Sequence, residues 1–572
     1  MSLFSMLSKK APNRVFASIL LGVLSGAAYA LLIPLMINAL RPPEPRFATV
    51  DSGPVEVLWL QVANAPVAAL FAAICLFIVV ARTFSQVGLS RVSMKLASDL
   101  RIQLYERIAR APLPSLEKIG VPKLVSAMTA DLPTVVAGTQ LLPDLLVAGV
   151  TVAGMLGFLL YLDVSIFWFV LGAIVFGIVT YQLPMILGQR YFILGGKSQD
   201  ALQEAIQGLV RGVKELKLND EKRAAFFDSM LLRYENDLFE AQQGANTVVR
   251  VSANYGEMLS FFIIGAVTFI FVNYHAIRTE ELLGAIMVLL YITGPVSGML
   301  RLLPEVARSK IALRRVNELS GRLSEEDIGP AAPTRLEWDT IRFDQVCYQH
   351  QPGDGAGDAE GFRIGPIDLE FAKGEITMVV GGNGSGKSTL CKLLTLHYRA
   401  SGGTLYFGDT AIGRDTIGTA RQSVSAIYSD YYLFDRLLGV TVDAAEVQHF
   451  LKALRLDGKV TYQDGKFSTL ALSDGQRRRM ALLAAFIEDK ELYLFDEWAA
   501  DQDPVFKEVF YHEVLPALKA RGKAVVAITH DDRYFDIADK VIVMADGLVT
   551  RVELPRARET ASVNQSMFMR RA

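Results

Sequence analysis

Six apolar stretches before residue 305 constrain the fold of this chain more than any other feature. Most of them are near the roughly 20 residues that a helix needs to cross a bilayer, and they contain very few charges. One such stretch could be a buried helix of a water-soluble domain, but six together predict a membrane domain over residues 1–323. We expect spans at about residues 15–40, 57–81, 145–162, 164–187, 259–274 and 282–303.

The connections between these stretches differ in basic charge. Residues 82–140 carry eight lysines and arginines and residues 188–256 carry nine, whereas the other loops carry Arg41, Arg46 and Arg278. Because positively charged loops stay on the cytoplasmic side, both termini and both long connections are predicted to be cytoplasmic. Their helical patterning, as in LASDLRIQLYERIARAPL, indicates membrane helices that continue well into the cytoplasm.

Composition and charge argue against several classes of protein. Lysine and arginine total 58 and aspartate and glutamate 60, a net charge of -2 that argues against a nucleic-acid partner. The three cysteines are far apart and predict neither a disulfide framework nor a zinc site. Charges within the spans are restricted to the edges, at Asp144, Glu257 and Arg301, with the polar Asn273 beside them. An ion-coupled carrier is therefore poorly supported.

The composition changes after residue 323. A polar, proline-bearing linker is expected at residues 324–333, a second domain at 334–555, and a polar tail without an assigned role at 556–572. Short β-branched runs alternate with helical patterns in the second domain, in the order EITMVV, LYLF, AVVAIT and VIVMA. This alternation predicts a mainly parallel α/β fold.

The first of these strands leads into GGNGSGKST, residues 381–389, which fits the P-loop pattern in full. Glycines let backbone N–H groups close around phosphate oxygens, and a helix that begins near Lys387 directs its positive end at them. Lys387 would neutralise the β- and γ-phosphates, and the Ser388 hydroxyl would ligate Mg²⁺. The sequence therefore predicts a nucleotide site.

Two further strands end in polar residues at the same predicted edge of the sheet. LYLFDE ends in Asp496, which can hold Mg²⁺ through water, and in Glu497, which is placed to polarise an attacking water. His530 follows the strand at 524–529. Its position at the same edge favours a contact with the γ-phosphate over a purely structural role.

The segment LSDGQ at 472–476 precedes a helix that is first basic and then apolar. Ser473 and the N–H of Gly475 could form a second anion site at the start of this helix, or the segment could be an ordinary helix cap. Since the P-loop already holds the phosphates of one nucleotide, the first interpretation implies the nucleotide of a partner subunit.

The set GGNGSGKST, LSDGQ, LFDE and ITHDD resembles the ATP-binding cassette transporters, and six spans ahead of one cassette resemble their exporter half-transporters. Within that family, LFDEWAADQDP at 494–504 resembles the cyclic-peptide exporter group, which includes exporters of pyoverdine-type siderophore peptides and syringomycin-type lipopeptides. Residues at about 113–123 and 214–226 fall where exporters place the short helices that contact the cassettes.

The resemblance implies a role for each matching residue. Glu497 would be the catalytic carboxylate, and His530 the switch histidine. Asp503 would be the acid that crosses the dimer interface, and Tyr348 the aromatic ring that stacks on adenine. ATP and Mg²⁺ would be held by a larger set that comprises Gly381, Asn383, Gly384, Gly386, Lys387, Ser388, Thr389, Ser473, Gly475, Gln476 and Asp496.

Two positions depart from the pattern of the family. Asp474 stands where glycine is usual, and an acid there could cap the following helix while the site at Ser473 and Gly475 survives. The glutamine usual at the end of the strand 424–428 is absent. Ser429 or Asp430 is the candidate to complete the Mg²⁺ shell in its place.

The predicted architecture is an all-α six-helix membrane domain with long cytoplasmic helix extensions, followed by an α/β P-loop ATPase domain. The predicted function is ATP-driven export of a siderophore peptide precursor or cyclic lipopeptide across a bacterial inner membrane, by alternating access in a homodimer. Membrane lipid is an expected partner, and periplasmic or outer-membrane efflux components are candidate partners. The alternatives are a lipid flippase or broad multidrug exporter and, less favoured, a nucleotide-gated channel or regulator without hydrolysis.

Overall fold

The computed structural model describes residues 12–40, 55–57, 60–62, 65–273, 278–329, 336–350 and 361–555. The chain divides into two compact units. The first comprises the chain up to Tyr105 together with Pro122–Ser320, and the second comprises Glu106–Val121 together with the chain from Gly321 onward. The end of the expected linker, the segment 351–360 and the tail 556–572 lie outside the described residues.

The first half of the chain is almost entirely helical. Its helices are α1 Pro12–Leu40, α2 Ala65–Arg110, α3 Leu113–Ile119, α4 Val121–Ser126, α5 Leu132–Gln140, α6 Leu142–Leu162, α7 Val164–Arg211, α8 Val213–Lys217, α9 Asp220–Phe226, α10 Leu232–Gly265 and α11 Thr279–Arg322. In the described part of the chain, six helical stretches are long and apolar enough to cross a membrane. This confirms the predicted six-helix domain with long helix extensions.

The second predicted span begins later than expected. Val55–Val57 and Leu60–Val62 form a short antiparallel hairpin, strands β1 and β2, and α2 begins only at Ala65. Valines at alternating positions favour an extended strand, and Pro66 suits the first turn of a helix because it has no N–H to donate. The hairpin corrects the predicted start of the second span at about residue 57.

Small residues let the helices of the first unit approach one another closely. A Cβ atom at Gly26 of α1 would lie 3.0 Å from the backbone oxygen of Val147 and 3.1 Å from the hydroxyl of Thr151, both on α6. The Ser85 hydroxyl of α2 donates to the backbone oxygen of Ser18 on α1 at 2.7 Å. In lipid, such close packing and interhelical hydrogen bonds are what hold helices together.

A matched pair of glycine substitutions tests this packing. A Cβ atom at Gly244 on α10 would lie 2.6 Å from the ring of Tyr191 on α7, whereas one at Gly196 on α7 meets nothing within 4 Å. We expect Gly244→Ala to destabilise the purified protein by about 1–3 kcal/mol through overpacking, which lowers the midpoint of thermal unfolding in detergent. Gly196→Ala should leave that midpoint unchanged or raise it, since alanine is the better helix former. Equal midpoints for the two variants would contradict the close approach of α7 and α10.

The second unit is built on two sheets. Its strands are β3 Thr340–Gln349, β4 Arg363–Ala372, β5 Ile376–Gly381, β6 Gly402–Phe407, β7 Thr410–Ala411, β8 Val424–Ile427, β9 Tyr462–Gln463, β10 Lys466–Phe467, β11 Leu492–Asp496, β12 Ala524–Ile528, β13 Lys540–Ala545 and β14 Leu548–Glu553. The larger sheet has the order β14-β13-β5-β12-β11-β8, in which β14 pairs antiparallel and the remaining neighbours pair parallel. The smaller sheet is antiparallel, with the order β4-β3-β6-β7.

Helices cover the larger sheet. They are α12 Lys387–Leu394, α13 Ile417–Arg421, α14 Ala444–Ala453, α15 Asp474–Glu488, α16 Pro504–Val509 and α17 Leu515–Ala520. Every residue of β11 and β12 is buried, as expected of central parallel strands with helices on both faces. The register pairs Asp496 with Ile528 and Ile528 with Val379, so the carboxyl ends of β11, β12 and β5 meet at one edge of the sheet. That edge is where ligands bind in open α/β sheets.

The segment Glu106–Val121 packs with the second unit. Leu113 at the start of α3 lies against the apolar cluster beneath α12. The Glu117 carboxylate accepts hydrogen bonds from the Lys392 ammonium of α12 at 2.7 Å and from the Tyr398 hydroxyl at 2.5 Å. A short helix that precedes the third span is thus fixed to the helix that follows the P-loop.

Candidate functional site

The P-loop connects β5 to α12 as the sequence predicts. Gly384 and Gly386 have φ angles of 79° and 100°, a left-handed conformation that side-chain-bearing residues adopt at a cost. Helix α12 begins at Lys387, directly after Gly386. Asn383 and Ser388 are exposed, and Thr389 is buried. The loop therefore presents its backbone and the start of α12 at the carboxyl edge of the sheet.

The ammonium group of Lys387 is held by its own loop. Its Nζ donates to the backbone oxygens of Gly381 at 2.8 Å and Gly382 at 2.9 Å, and the side chain is buried. The nearby Ser385 hydroxyl is buried and has no hydrogen-bond partner within the described residues. A buried cation and an unpartnered hydroxyl beside the exposed residues 382–384 fit a phosphate ligand.

Asp496 ends β11 at the same edge and is 5% exposed. Burial raises the pKa of Asp496, and the neighbouring Glu497 and Asp430 carboxylates raise it further, whereas a hydrogen bond from the Ser429 backbone lowers it. A bound cation would favour the charged form of this carboxylate. Of the two residues at the end of β8, Ser429 contacts Asp496 through its backbone and Asp430 acts through its charge.

Glu497 and His530 lie together beyond the ends of β11 and β12. The Nε2 atom of His530 is 3.1 Å from Oε1 of Glu497, and both side chains are partly exposed. Glu497 has a φ angle of 50°, and its backbone N–H donates to the oxygen of Ile528 at 3.2 Å. The structure therefore brings together the two residues that the sequence singles out for catalysis, on a backbone that turns sharply after β11.

A buried arginine fixes this turn. Arg478 lies on α15, and one of its terminal nitrogens donates to the backbone oxygen of Glu497. The other terminal nitrogen lies 2.6 Å from the carboxylate of Asp501, and the Arg478 side chain is 10% exposed. The planar guanidinium fork thus joins α15 to the loop that carries Glu497.

Residues 498–504, the WAADQDP segment, make two further contacts with α15. The indole N–H of Trp498 donates to the backbone oxygen of Arg478 at 3.0 Å, and its ring stacks on Phe510 at a centroid distance of 4.3 Å. The Gln502 amide donates to the backbone oxygen of Gly475 at 3.0 Å. The segment that resembles the cyclic-peptide exporters therefore holds the LSDGQ helix against the loop after β11.

Ser473 is the N-cap of α15. Its hydroxyl accepts from the N–H of Gln476 at 3.4 Å, and the Gln476 side-chain oxygen accepts from the N–H of Ser473 at 3.2 Å, which forms a capping box. Asp474 lies in the first turn and is not the cap, which corrects the expectation for that residue. Its charge still suits the positive end of the helix.

Asp503 has partners within its own chain. One carboxylate oxygen accepts from the N–H of Phe506 at 2.9 Å and so caps α16, and the other lies 3.4 Å from Arg479 on α15. Asp503 is thus a further link between α15 and the segment after β11.

The rings of Tyr348, the predicted adenine-stacking residue, and His350 pack edge to face at a centroid distance of 5.0 Å. One face of the Tyr348 ring is stacked on Tyr398 at a centroid distance of 4.6 Å. His350, two residues on, has its Nε2 atom 3.0 Å from the hydroxyl of Thr389 in the P-loop segment. Burial and the Lys392 charge lower the pKa of His350, so its neutral ring is favoured. His350 is a nucleotide-site candidate that the sequence reasoning missed, although its position two residues after Tyr348, directly beyond the end of β3, was a usable signal.

The oxygen-bearing side chains at this edge of the sheet suit a Mg²⁺ ion bound together with a nucleotide. They suit less well a metal ion held by protein side chains alone. Among the described residues no group of three or more His, Cys, Asp and Glu side chains could hold a metal ion. Mg²⁺ usually takes one or two protein oxygens together with phosphate and water oxygens. The Ser388 hydroxyl and the Asp496 carboxylate are the residues that would hold it.

A multi-pass membrane unit joined to a P-loop ATPase unit is the class of protein that these features define. The ABC transporter family model matches residues 364–500. The chain is 30% identical over 562 residues to the ATP-binding protein SyrD of Pseudomonas syringae pv. syringae, an alignment that covers 96% of each chain. It is 25% identical to the ATP-dependent lipid A-core flippase of Shewanella sp. (strain MR-4), over 81% of this chain and 79% of the relative.

The chain belongs to the ABC transporter family, and its ATPase domain hydrolyses ATP to drive transport. A second flippase, from Chromobacterium violaceum, is 23% identical over 92% of this chain and 90% of its own length. The predicted family, fold class and ATPase activity are thereby confirmed.

Arg478 provides a test of the site that leaves its reacting groups in place. We expect Arg478→Met to lower kcat for ATP hydrolysis roughly 10- to 100-fold, because a buried charge-assisted hydrogen bond to the Glu497 backbone is lost. Since Arg478 does not contact the P-loop, the KM for ATP should change little. Arg478→Lys should recover only part of kcat, because lysine keeps the charge but lacks the fork.

The matched control for Arg478 is Arg414→Met, which removes an exposed arginine that is paired with Asp327 at 2.9 Å in the same unit. The control should hydrolyse ATP as the wild type does. Full activity of Arg478→Met, or a loss seen only in KM, would show that Arg478 does not position Glu497.

Proposed function

We propose that this chain is half of a homodimeric exporter that moves an amphipathic peptide natural product, a siderophore peptide precursor or cyclic lipopeptide, across a bacterial inner membrane. Residues 1–323 would form the membrane domain and residues 334–555 the nucleotide-binding domain. The proposal rests on the contacts made by residues 498–504, the WAADQDP segment. Trp498, Asp501 and Gln502 of this segment hold the loop after Glu497 against α15.

In the proposed reaction, the P-loop residues Lys387, Ser388 and Thr389 bind the phosphates of ATP. Mg²⁺ supplies charge neutralisation at the β- and γ-phosphates when bound, with Ser388 and Asp496 as its protein partners. Glu497 orients and polarises the attacking water. His530, within hydrogen-bond distance of Glu497, holds that carboxylate and contacts the γ-phosphate.

The second half of each nucleotide site would come from the partner subunit. The hydroxyl of Ser473 and the N–H of Gly475 lie at the start of α15, where helix N-termini attract anions. The P-loop of the same chain already provides a phosphate cradle, so this helix start is assigned to the nucleotide of the other copy. ATP would then favour the closed dimer, and hydrolysis would release it.

The orientation follows from charge. The basic connections at 82–140 and 188–256 would lie in the cytoplasm with both termini, together with the ATPase unit. The segment that bears Glu117 would then transmit movements of the ATPase unit to the membrane helices, through its bonds to Lys392 and Tyr398.

Two candidate cargoes have support of different kinds. The peptide is favoured because WAADQDP at 498–504 resembles the cyclic-peptide exporter group. A lipid is the second candidate, since the relatives at 22–25% identity are named as lipid A-core flippases.

Transport in proteoliposomes tests the proposal. With the ATPase unit facing outward, we expect ATP-dependent uptake of a fluorescent acylated peptide, and no movement of a fluorescent phospholipid between leaflets. Glu497→Gln should lower ATP turnover by about 10²–10⁴-fold, the usual contribution of a positioned general base, and stop uptake while ATP still binds. Lipid movement without peptide uptake would contradict the peptide proposal, and undiminished hydrolysis by Glu497→Gln would place the base elsewhere.

A further inference from the structure

A cavity of the membrane unit lies among four helices. It has a volume of about 400 Å³ and is lined by residues of α1, α2, α6 and α11. Glycines open it on the α11 side, where Cβ atoms at Gly294 and Gly298 would meet nothing within 4 Å. A space of this size accommodates the polar end of an amphipathic molecule rather than ordered water alone.

Two arginines face this cavity, Arg82 from α2 and Arg301 from α11. Within the described part of the chain neither guanidinium forms an ion pair or hydrogen bond, although several other arginines have a carboxylate partner. Both side chains are exposed and lie at the predicted cytoplasmic edge of the membrane, where two positive charges lining one cavity attract an anion. Their shared chemistry points to an anionic group, since guanidinium binds carboxylates and phosphates bidentately.

The cavity also contains a carboxylate. Oδ1 of Asp144 on α6 accepts a hydrogen bond from the Gln86 amide of α2 at 2.7 Å, and both residues line the same space. This bond fixes one oxygen of the carboxylate. The wall therefore offers two cations and one anion, held on three different helices.

We propose that this cavity binds a peptide cargo through its charged groups, with the peptide carboxylate on Arg82 and Arg301 and an ammonium or N–H group of the peptide on Asp144. The assignment rests on the proposed export function and names the charge pattern of its cargo. A headgroup that bears only phosphates would gain from the arginines but would be repelled by Asp144. A peptide that carries both signs of charge matches the whole wall.

Binding to the purified full-length protein without ATP tests the assignment. The probes are dodecanoyl-Lys-Gly-Gly with a free carboxylate, its C-terminal amide, and dodecyl phosphate, each titrated by calorimetry in detergent. We expect the free acid to bind at least about 10-fold tighter than the amide, which is the size of one charge-assisted contact. Arg82→Gln and Arg301→Gln should each abolish this preference, whereas Arg250→Gln, which removes an exposed arginine outside the cavity lining, should keep it.

Two further comparisons make the test independent of any one variant. Gly298→Leu fills open space on α11 and should weaken binding of the free acid without unfolding the protein. Asp144→Asn should weaken binding of the lysine probe and strengthen binding of dodecyl phosphate. Equal affinities of the acid and the amide for the wild type would overturn the proposal, and so would dodecyl phosphate binding tighter than the peptide acid, which would assign the cavity to a lipid headgroup.

The uptake assay separates this inference from the proposed function. Uptake of the acylated peptide by a wild type that binds acid and amide equally would refute the cavity assignment alone. Selective binding of the acid without ATP-driven uptake would uphold the cavity assignment and refute peptide export.

Discussion

The hydrogen bond and the ion pair of Arg478 are the contacts on which the position of Glu497 in the ATPase unit depends. A single buried guanidinium joins the backbone of Glu497 and the carboxylate of Asp501 to α15. Trp498 and Gln502 add bonds from the same loop to the backbone of α15 and of its first turn. Because a buried arginine is costly unless all its donors are satisfied, this arrangement tolerates little relative movement of its parts.

We therefore expect the loop with Glu497 and the start of α15 to move together. In the proposed dimer the first serves the nucleotide of its own chain and the second serves the nucleotide of the partner. A displacement at one nucleotide would then be passed to the other through Arg478, Gln502 and the Asp503–Arg479 pair. In that dimer the WAADQDP segment would couple the two nucleotide sites, whatever the cargo.

The sequence predicted the parts of the site that follow from local chemistry. The start of α12 at Lys387 and the acids at the end of β11 were predictable, because glycine spacing and the end of a buried strand fix backbone position. Arg478 was missed because it lies in a run of three arginines that looks like a solvated face. A usable signal was its spacing from Leu482 and Ala485, which places it on the buried stripe of α15.

Other features depended on contacts between distant segments. The hydropathy pattern predicts the membrane spans clearly. No local sequence pattern of that strength predicts the hairpin before α2 or the packing of Glu106–Val121 with the second unit. Tyr348 was chosen for its aromatic ring, yet that ring is stacked on Tyr398, some 50 residues away in sequence, and His350 approaches the P-loop segment instead. Alternating positions along β3 show which rings share a face, but not what packs on them.

The most direct test of the shared nucleotide site is a disulfide cross-link within or between copies. A chain in which Cys75, Cys347 and Cys391 are replaced would carry Asn383→Cys in the P-loop, Ser473→Cys at the start of α15, and Glu497→Gln to retain ATP. With ATP and a mild oxidant, we predict a disulfide-linked dimer on a non-reducing gel, and little of it without nucleotide. A cross-link that forms within single chains, giving a faster-migrating monomer and no dimer, would contradict the account.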